Sequence, residues 1–280
     1  TCGGGSGNKV VANFGARAFT HAAPSGYKAL CTANLPDPTI ADGSTYFDTK
    51  LYTGNGGTQN ITGLNFSPEL TWIKTRSGSG NHHIFDVVRG VNKSLHSDTT
   101  AATETTTAGL TSFDSNGFSI GNSNNDINGN GITFVSWNWD AGSSTVTNTD
   151  GNTSAQVRAN PSAGFSIIEL TTPSSGAAFT FGHGLGAKPS FLISKVTDEA
   201  LSWYVWHQSL SANNSYVLLN NTNAENSAST VWASTDMTST VISDTASGHW
   251  GNDTPMVYYA FTAVEGYSDA LSWTGNGSSD

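Results

Sequence analysis

Seven histidines, six glutamates and fifteen aspartates carry the titratable chemistry of this 280-residue chain. His82 and His83 stand beside Asp86, the nearest approach to a metal-ligating group. Neighbouring residues of a strand point to opposite faces, so the two imidazoles could share an ion only from a turn. The Gly and Ser residues just ahead of them (77–80) mark an exposed loop, and no metal centre is expected. His82→Ala and His83→Ala should each cost no more than about 0.5 kcal/mol, the scale of a surface change. His183, between two glycines in FGHGLG, reads as a turn residue. Residues 126–131, Asp-Ile-Asn-Gly-Asn-Gly, begin like a calcium loop, but Trp137 stands where the bidentate Glu belongs. A solvated hairpin tip is the expectation there.

Nucleophilic chemistry has no better footing. There is no Gly-x-Ser-x-Gly elbow and no phosphate-cradling glycine loop. Glycoside cleavage needs two carboxylates flanking a cleft. Glu69 aligns with Ser190 and Glu169 with Leu51 in the internal repeat described below, so neither recurs. No catalytic residue, metal or cofactor is assigned, and a non-enzymatic role is expected. Aromatic rings suit the apolar faces of sugars. Trp137, Trp139, Trp203, Trp206, Tyr258, Tyr259 and Phe261 fall on stretches patterned like core strands. Trp250, in SGHWGND, and Trp273, near the end of the chain, are the candidates for exposure and ligand binding.

The elements that must position these residues are strands. Thr, Ser and Asn together number 98, while charged residues are only 11%. Such residues suit turns and the polar faces of strands and cannot sustain long exposed helices. A net charge of −10 with scattered Lys and Arg excludes a nucleic-acid footprint. No apolar run approaches the roughly 20 residues of a membrane helix. Cys2 and Cys31 are the only cysteines; they form one bridge or none.

The chain repeats itself. Gly63-Leu64 and Gly184-Leu185 precede Pro68 and Pro189 by the same five positions. Seventeen residues past each proline stands a large aromatic, Phe85 or Trp206. The copies close on FVSWNW (134–139) and MVYYAF (256–261), with Gly142 and Gly266 following. Aromatics on both faces of a closing strand predict cover on both sides. The expected fold is all-β: two tandem β-sandwich repeats, jelly-roll or concanavalin-like, with an N-terminal extended segment. The boundaries are an extension at 1–45, repeats at 46–142 and 164–266, and a polar linker at 143–163 between them. LYTGNG at 51–56 reappears as SWTGNG at 272–277, so 267–280 reads as the start of an incomplete third repeat. Strand-like ends at 1–20 and 267–280 either pair with another chain, fold back onto their own repeats, or belong to a longer parent chain.

VVANFGARAF and PSGYKALCTANLPDPTI, followed by YTGNG, ITGLNFSPELTWIK, FDVVRG, SDTTAATE, SFDSNGFSIG, GHGLGAKPSFLISK and AVEGYS, carry a resemblance. The chain resembles tailed-phage structural and fibre proteins in which a SPRY-like, concanavalin-type domain precedes tandem β-sandwich repeats. The resemblance implies a non-enzymatic virion component, a tail fibre, head fibre or capsid-associated protein, located on the virion and extracellular. Its implied partners are other virion subunits or copies of itself, with no nucleic acid and no membrane. The alternative is a carbohydrate-binding adhesin contacting host surface glycans.

Overall fold

The computed structural model describes residues 38–122, 125–246 and 251–276, together with His21 and Ser25. The expected strand at 10–19, Cys2, Cys31, His249 and Trp250 lie outside the described residues. The protein is all β, and the α-helix among the described residues is a single turn, α1 (Asn125–Asn128). The first half holds β1 (Phe47–Thr53), β2 (Gln59–Thr62), β3 (Leu70–Thr75), β4 (His83–Asp86), β5 (Lys93–Ser94), β6 (Glu104–Thr105), β7 (Leu110–Asp114), β8 (Gly117–Ile120) and β9 (Thr133–Trp139). The second holds β10 (Thr145–Asn148), β11 (Ala155–Asn160), β12 (Phe165–Thr171), β13 (Ala178–Gly182), β14 (Phe191–Val196), β15 (Tyr204–His207), β16 (Ser215–Leu218), β17 (Asn226–Ser227), β18 (Val241–Thr245) and β19 (Pro255–Phe261).

The two halves share one strand order. β1-β9-β3-β4 form an antiparallel sheet, and β12-β19-β14-β15 repeat that order before β16 and β17 extend it. A shorter sheet, β2-β8-β7, has its counterpart in the β13–β18 pair. Registers agree as well. Leu70 lies opposite Trp139 and Phe191 opposite Phe261, while Thr71 lies opposite Phe85 and Leu192 opposite Trp206. Pro68 and Pro189 therefore enter equivalent strands, as the spacing predicts. The two Gly-Leu pairs explain why it is kept: Gly63 and Gly184 both adopt positive φ, +96° and +71°, and both Leu64 and Leu185 are buried. Only glycine turns the chain there without strain, and the turn drops the leucine into its core.

Three cores result. Ile61 and Phe118 of the short first sheet face Ile73, Phe85 and Phe134 of the long one. Phe179, Phe181 and Ile242 face Ile168, Leu192, Met256 and Tyr258 in the second half. The third core lies where the two long sheets meet. Strand β19 serves two of them: Met256, Tyr258 and Ala260 on one side, Val257 and Tyr259 on the other. This is the double cover that its aromatics predict.

Residues 143–163 are more than a linker. β10 and β11 form a hairpin that pairs with β12, making the sheet eight strands wide. Ala155 and Val157 are buried at its core face, whereas β10 is almost wholly exposed. The Thr and Val of β10 are good strand formers, but on a solvated edge they carry no apolar alternation, so the polarity of the stretch hides the strand. Gly142 starts this hairpin at φ +88°, and a Cβ there would stand 2.5 Å from the Ala159 carbonyl oxygen. Gly142→Ala is expected to destabilise by about 1–3 kcal/mol. Urea unfolding would read it; an unchanged midpoint would mean that the turn readily finds another conformation.

Candidate functional site

The two long sheets meet at a seam, and each half offers the same face. Leu70 and Phe191, Trp72 and Ile193, Ile84 and Val205, and Trp139 and Phe261 are register-equivalent pairs that all belong to the shared core. Such reciprocal packing is what an isologous dimer interface looks like, here within one chain. A buried ionic group locks it. The Arg89 Nε donates to Asp86 Oδ2 at 2.6 Å, and the Tyr259 hydroxyl of the second half donates to the same oxygen at 2.7 Å. Arg89 also donates to the Lys93 and Ile84 carbonyls at 3.2 and 3.1 Å, while Asp86 Oδ1 accepts from the Arg89 amide. Burial opposes the guanidinium charge, but Asp86 and Tyr259 hold its pKa above the usual value. Successive residues on β19 face opposite ways, so Tyr258 donates to buried Asp244 on the other side, at 2.6 Å. A second tie joins Glu69, ahead of β3, to Arg158 of β11 at 2.9 Å. Burial pushes the Glu69 carboxyl up, against the pull of Arg158 and the Ala141 amide.

Clefts open along the seam. One is aromatic and has two adjoining depressions, of about 210 and 340 Å³, which share Phe261 and Ser268. The cross-strand pair Phe47–Trp139 has ring centroids 4.8 Å apart, and its repeat-equivalent Phe165–Phe261 has the same separation. Trp139 reaches Phe165 at 6.2 Å, and Phe261 reaches Phe191 at 5.6 Å, so the two pairs form one run of rings. Tyr267 closes the cleft, edge-on to Tyr46 at 6.4 Å. The other cleft, of about 280 Å³, is polar and is lined by Arg89, Lys93, Glu169 and Asp198 among threonines. Burial and then Asp86 raise the Glu169 carboxyl, with Lys93 and Arg89 opposing. Two cations face two carboxylates there, so the cleft carries no strong charge.

The histidines differ from expectation. His83 is not on a loop: it is 2% exposed and begins strand β4. Its Nδ1 meets Ser94 Oγ at 2.9 Å, its ring lies 4.4 Å from that of His96, and Nε2 is 3.7 Å from Asp126 Oδ2. Burial, then the neighbouring His96 and His82, push its pKa down to about 3. The strand forms because the Gly/Ser run stops at Asn81 and His83-Ile84-Phe85-Asp86 is buried throughout, between two cores. His83→Ala therefore carries a core penalty. His82 remains half-buried, its Nδ1 accepting from Trp72 Nε1 at 2.9 Å. His183 does sit in a turn, but a buried one, its Nδ1 accepting from the Leu185 amide. The calcium-like stretch is not a hairpin tip: Asp126, Ile127 and Asn128 belong to α1, where Ile127 is buried and Asn128 donates to the Gly57 and Gly121 carbonyls. Among the described residues no group of three or more His, Cys, Asp or Glu side chains is arranged to hold a metal ion.

The aromatic candidates divide. Trp203, Trp206, Tyr258 and Tyr259 are core, but Trp137, Trp139 and Phe261 are half-buried, and the last two line the aromatic cleft. Trp273 is 88% exposed and lines neither depression of that cleft. Residues 271–276 form no strand, so the expected opening strand of a third repeat is not formed in the described tail. Instead Val264 bridges Ser268, and Gln208 Nε2 donates to the Ala270 carbonyl. No motif marks the seam residues Arg89 and Arg158. The available signal was scarcity: the chain has four arginines, and a guanidinium inside FDVVRG or AQVRAN, among strand formers, is a candidate for burial.

A family model described as Domain of unknown function (DUF7483) matches residues 42–280. No curated protein and no solved structure matches the chain.

Proposed function

We propose that this chain, which belongs to the DUF7483 family, is a non-enzymatic structural component of a phage virion, a tail fibre, head fibre or capsid-associated protein. The observation that carries the reading is the seam. Two register-equivalent sheets close on each other through a shared apolar core and a buried Asp86–Arg89–Tyr259 lock. That arrangement builds a stiff double unit of the kind a particle surface needs. The low charge and the Ser/Thr/Asn-rich surface support an extracellular setting, and the long phrases that resemble tailed-phage structural proteins support the virion. Its partners are other virion subunits or copies of itself. Negative-stain microscopy of the full chain, with light scattering, tests this reading: ordered rings, trimers or fibres are expected. A monomer at every concentration, which also fails to join isolated particles, would sink it.

A second reading, a carbohydrate-binding adhesin contacting host glycans, is favoured by the run of aromatic rings in the cleft. It moves the binding residues from Trp273 to the seam. Trp273→Ala should then leave both stability and glycan capture unchanged, within about 0.5 kcal/mol for unfolding.

A further inference from the structure

We infer that the aromatic cleft at the seam is a binding site for a neutral, linear oligosaccharide, gripped by Trp139, Phe261 and Tyr267 and fixed by Asp269 and His207. The inference rests on the carbohydrate reading above and gives it a site and a ligand class.

Sugar rings present apolar C–H faces, and these pack against aromatic rings, while their rim of hydroxyls needs hydrogen-bond partners. The cleft offers both. Its floor is the run of paired rings described above, half-buried rather than sealed, because Phe47, Trp139, Phe191 and Phe261 all keep part of their surface open. Its rim carries polar groups in the same depressions, His207, Ser268 and Asp269, beside the buried Ser190 and Thr262. A small-molecule site of this kind, apolar walls with a few convergent polar groups, is the ordinary form of a ligand pocket.

Shape and charge narrow the ligand. The two depressions adjoin through Phe261 and Ser268, so an occupant lying across both is elongated rather than compact. Among the described residues no Lys or Arg lines either depression, whereas Asp269 does. A chain at −10 with an acidic rim and no lining cation disfavours sialylated, sulfated or uronic glycans and leaves neutral ones. The concave form argues against a protein partner, whose stable interfaces need on the order of 1,200 Å² of well-matched surface.

The test is an array of linear neutral oligosaccharides (glucan, mannan, galactan and chitin types) beside oligogalacturonate and sialyllactose, followed by calorimetry with the best neutral tetrasaccharide. At least one neutral series should bind. Tyr267→Ala and Asp269→Asn should each weaken it about tenfold or more, as anchor residues do. Should Tyr267→Ala fail to fold, Asp269→Asn alone decides, since that side chain is exposed. Neutral binding that both folded variants retain would leave the carbohydrate reading standing and remove this site. Binding of acidic glycans alone would overturn the ligand class. No glycan bound at all would overturn the site and the carbohydrate reading together.

Discussion

Replacing Arg89 by methionine should lower the free energy of unfolding by about 3–5 kcal/mol, the scale for removing one partner of a buried ion pair. The cost comes less from the lost attraction than from what stays behind. Asp86 is fully buried, and without the guanidinium its charge keeps only the Tyr259 hydroxyl and the residue-89 amide. The Ile84 and Lys93 carbonyls lose a donor as well. Replacing both members with apolar residues, Asp86→Leu with Arg89→Met, should recover much of the loss, because well-packed hydrophobes often match a buried pair. Tyr259→Phe removes the two bonds of that hydroxyl across the seam, to Asp86 and from Arg89 Nη2, and should cost about 1–3 kcal/mol. Urea unfolding of the four proteins gives these differences. If Arg89→Met falls within 1 kcal/mol of the parent, water reaches the group and the seam is not the dry core described. A further readout follows from topology: weakening the seam should split the unfolding into two steps if the two sheet stacks are coupled mainly there.

The repeat was legible because it is written in spacing. Gly63 and Gly184 must turn at positive φ, Leu64 and Leu185 must be buried, and Pro68 and Pro189 must stand two residues ahead of a strand, before its first donor is needed. Geometry of that kind survives the loss of residue identity. What the repeat did not reveal is how its copies face each other. Register-equivalent residues need not do the same work: Asp86 and His207 hold matching positions, opposite Leu70 and Phe191, yet one is locked in the seam and the other lines the aromatic cleft. The same limit misplaced the aromatics. Trp139 and Phe261 alternate as core residues should, and they do face a core, but they sit where its edge opens to solvent. Periodicity tells which face a residue occupies and not how far along the strand the cover extends. His83 fails differently. A strand covered on both sides has no alternation, so a buried His beside a Gly/Ser run looks like the continuation of the loop.

That buried imidazole makes the protein acid-labile in a defined window. Burial, with His96 and His82 nearby, lowers the folded pKa of His83 from 6.5 to about 3. Between those values the unfolded chain binds a proton that the folded chain refuses, so stability falls as pH drops from about 6.5 and stops falling, for this group, near 3. At about 1.4 kcal/mol per pH unit, the interval corresponds to on the order of 5 kcal/mol. The groups around it decide whether that figure is reached. His96 lies tilted against the ring, Ser94 holds Nδ1, and Asp126 and Glu104 approach the Nε2 atoms of His83 and His96 at 3.7 and 3.4 Å. Both carboxylates are about half-exposed, so solvent screens the help they could give a protonated pair. His83→Gln separates this group from every other acid-sensitive one, because glutamine keeps polar contact with Ser94 and cannot titrate. The variant should be less stable than the parent at pH 7 and should lose less on acidification, so the two stability curves converge or cross between pH 6.5 and 3. Curves that stay parallel through that range would mean that His83 titrates normally and that the pocket beneath β4 and α1 admits water.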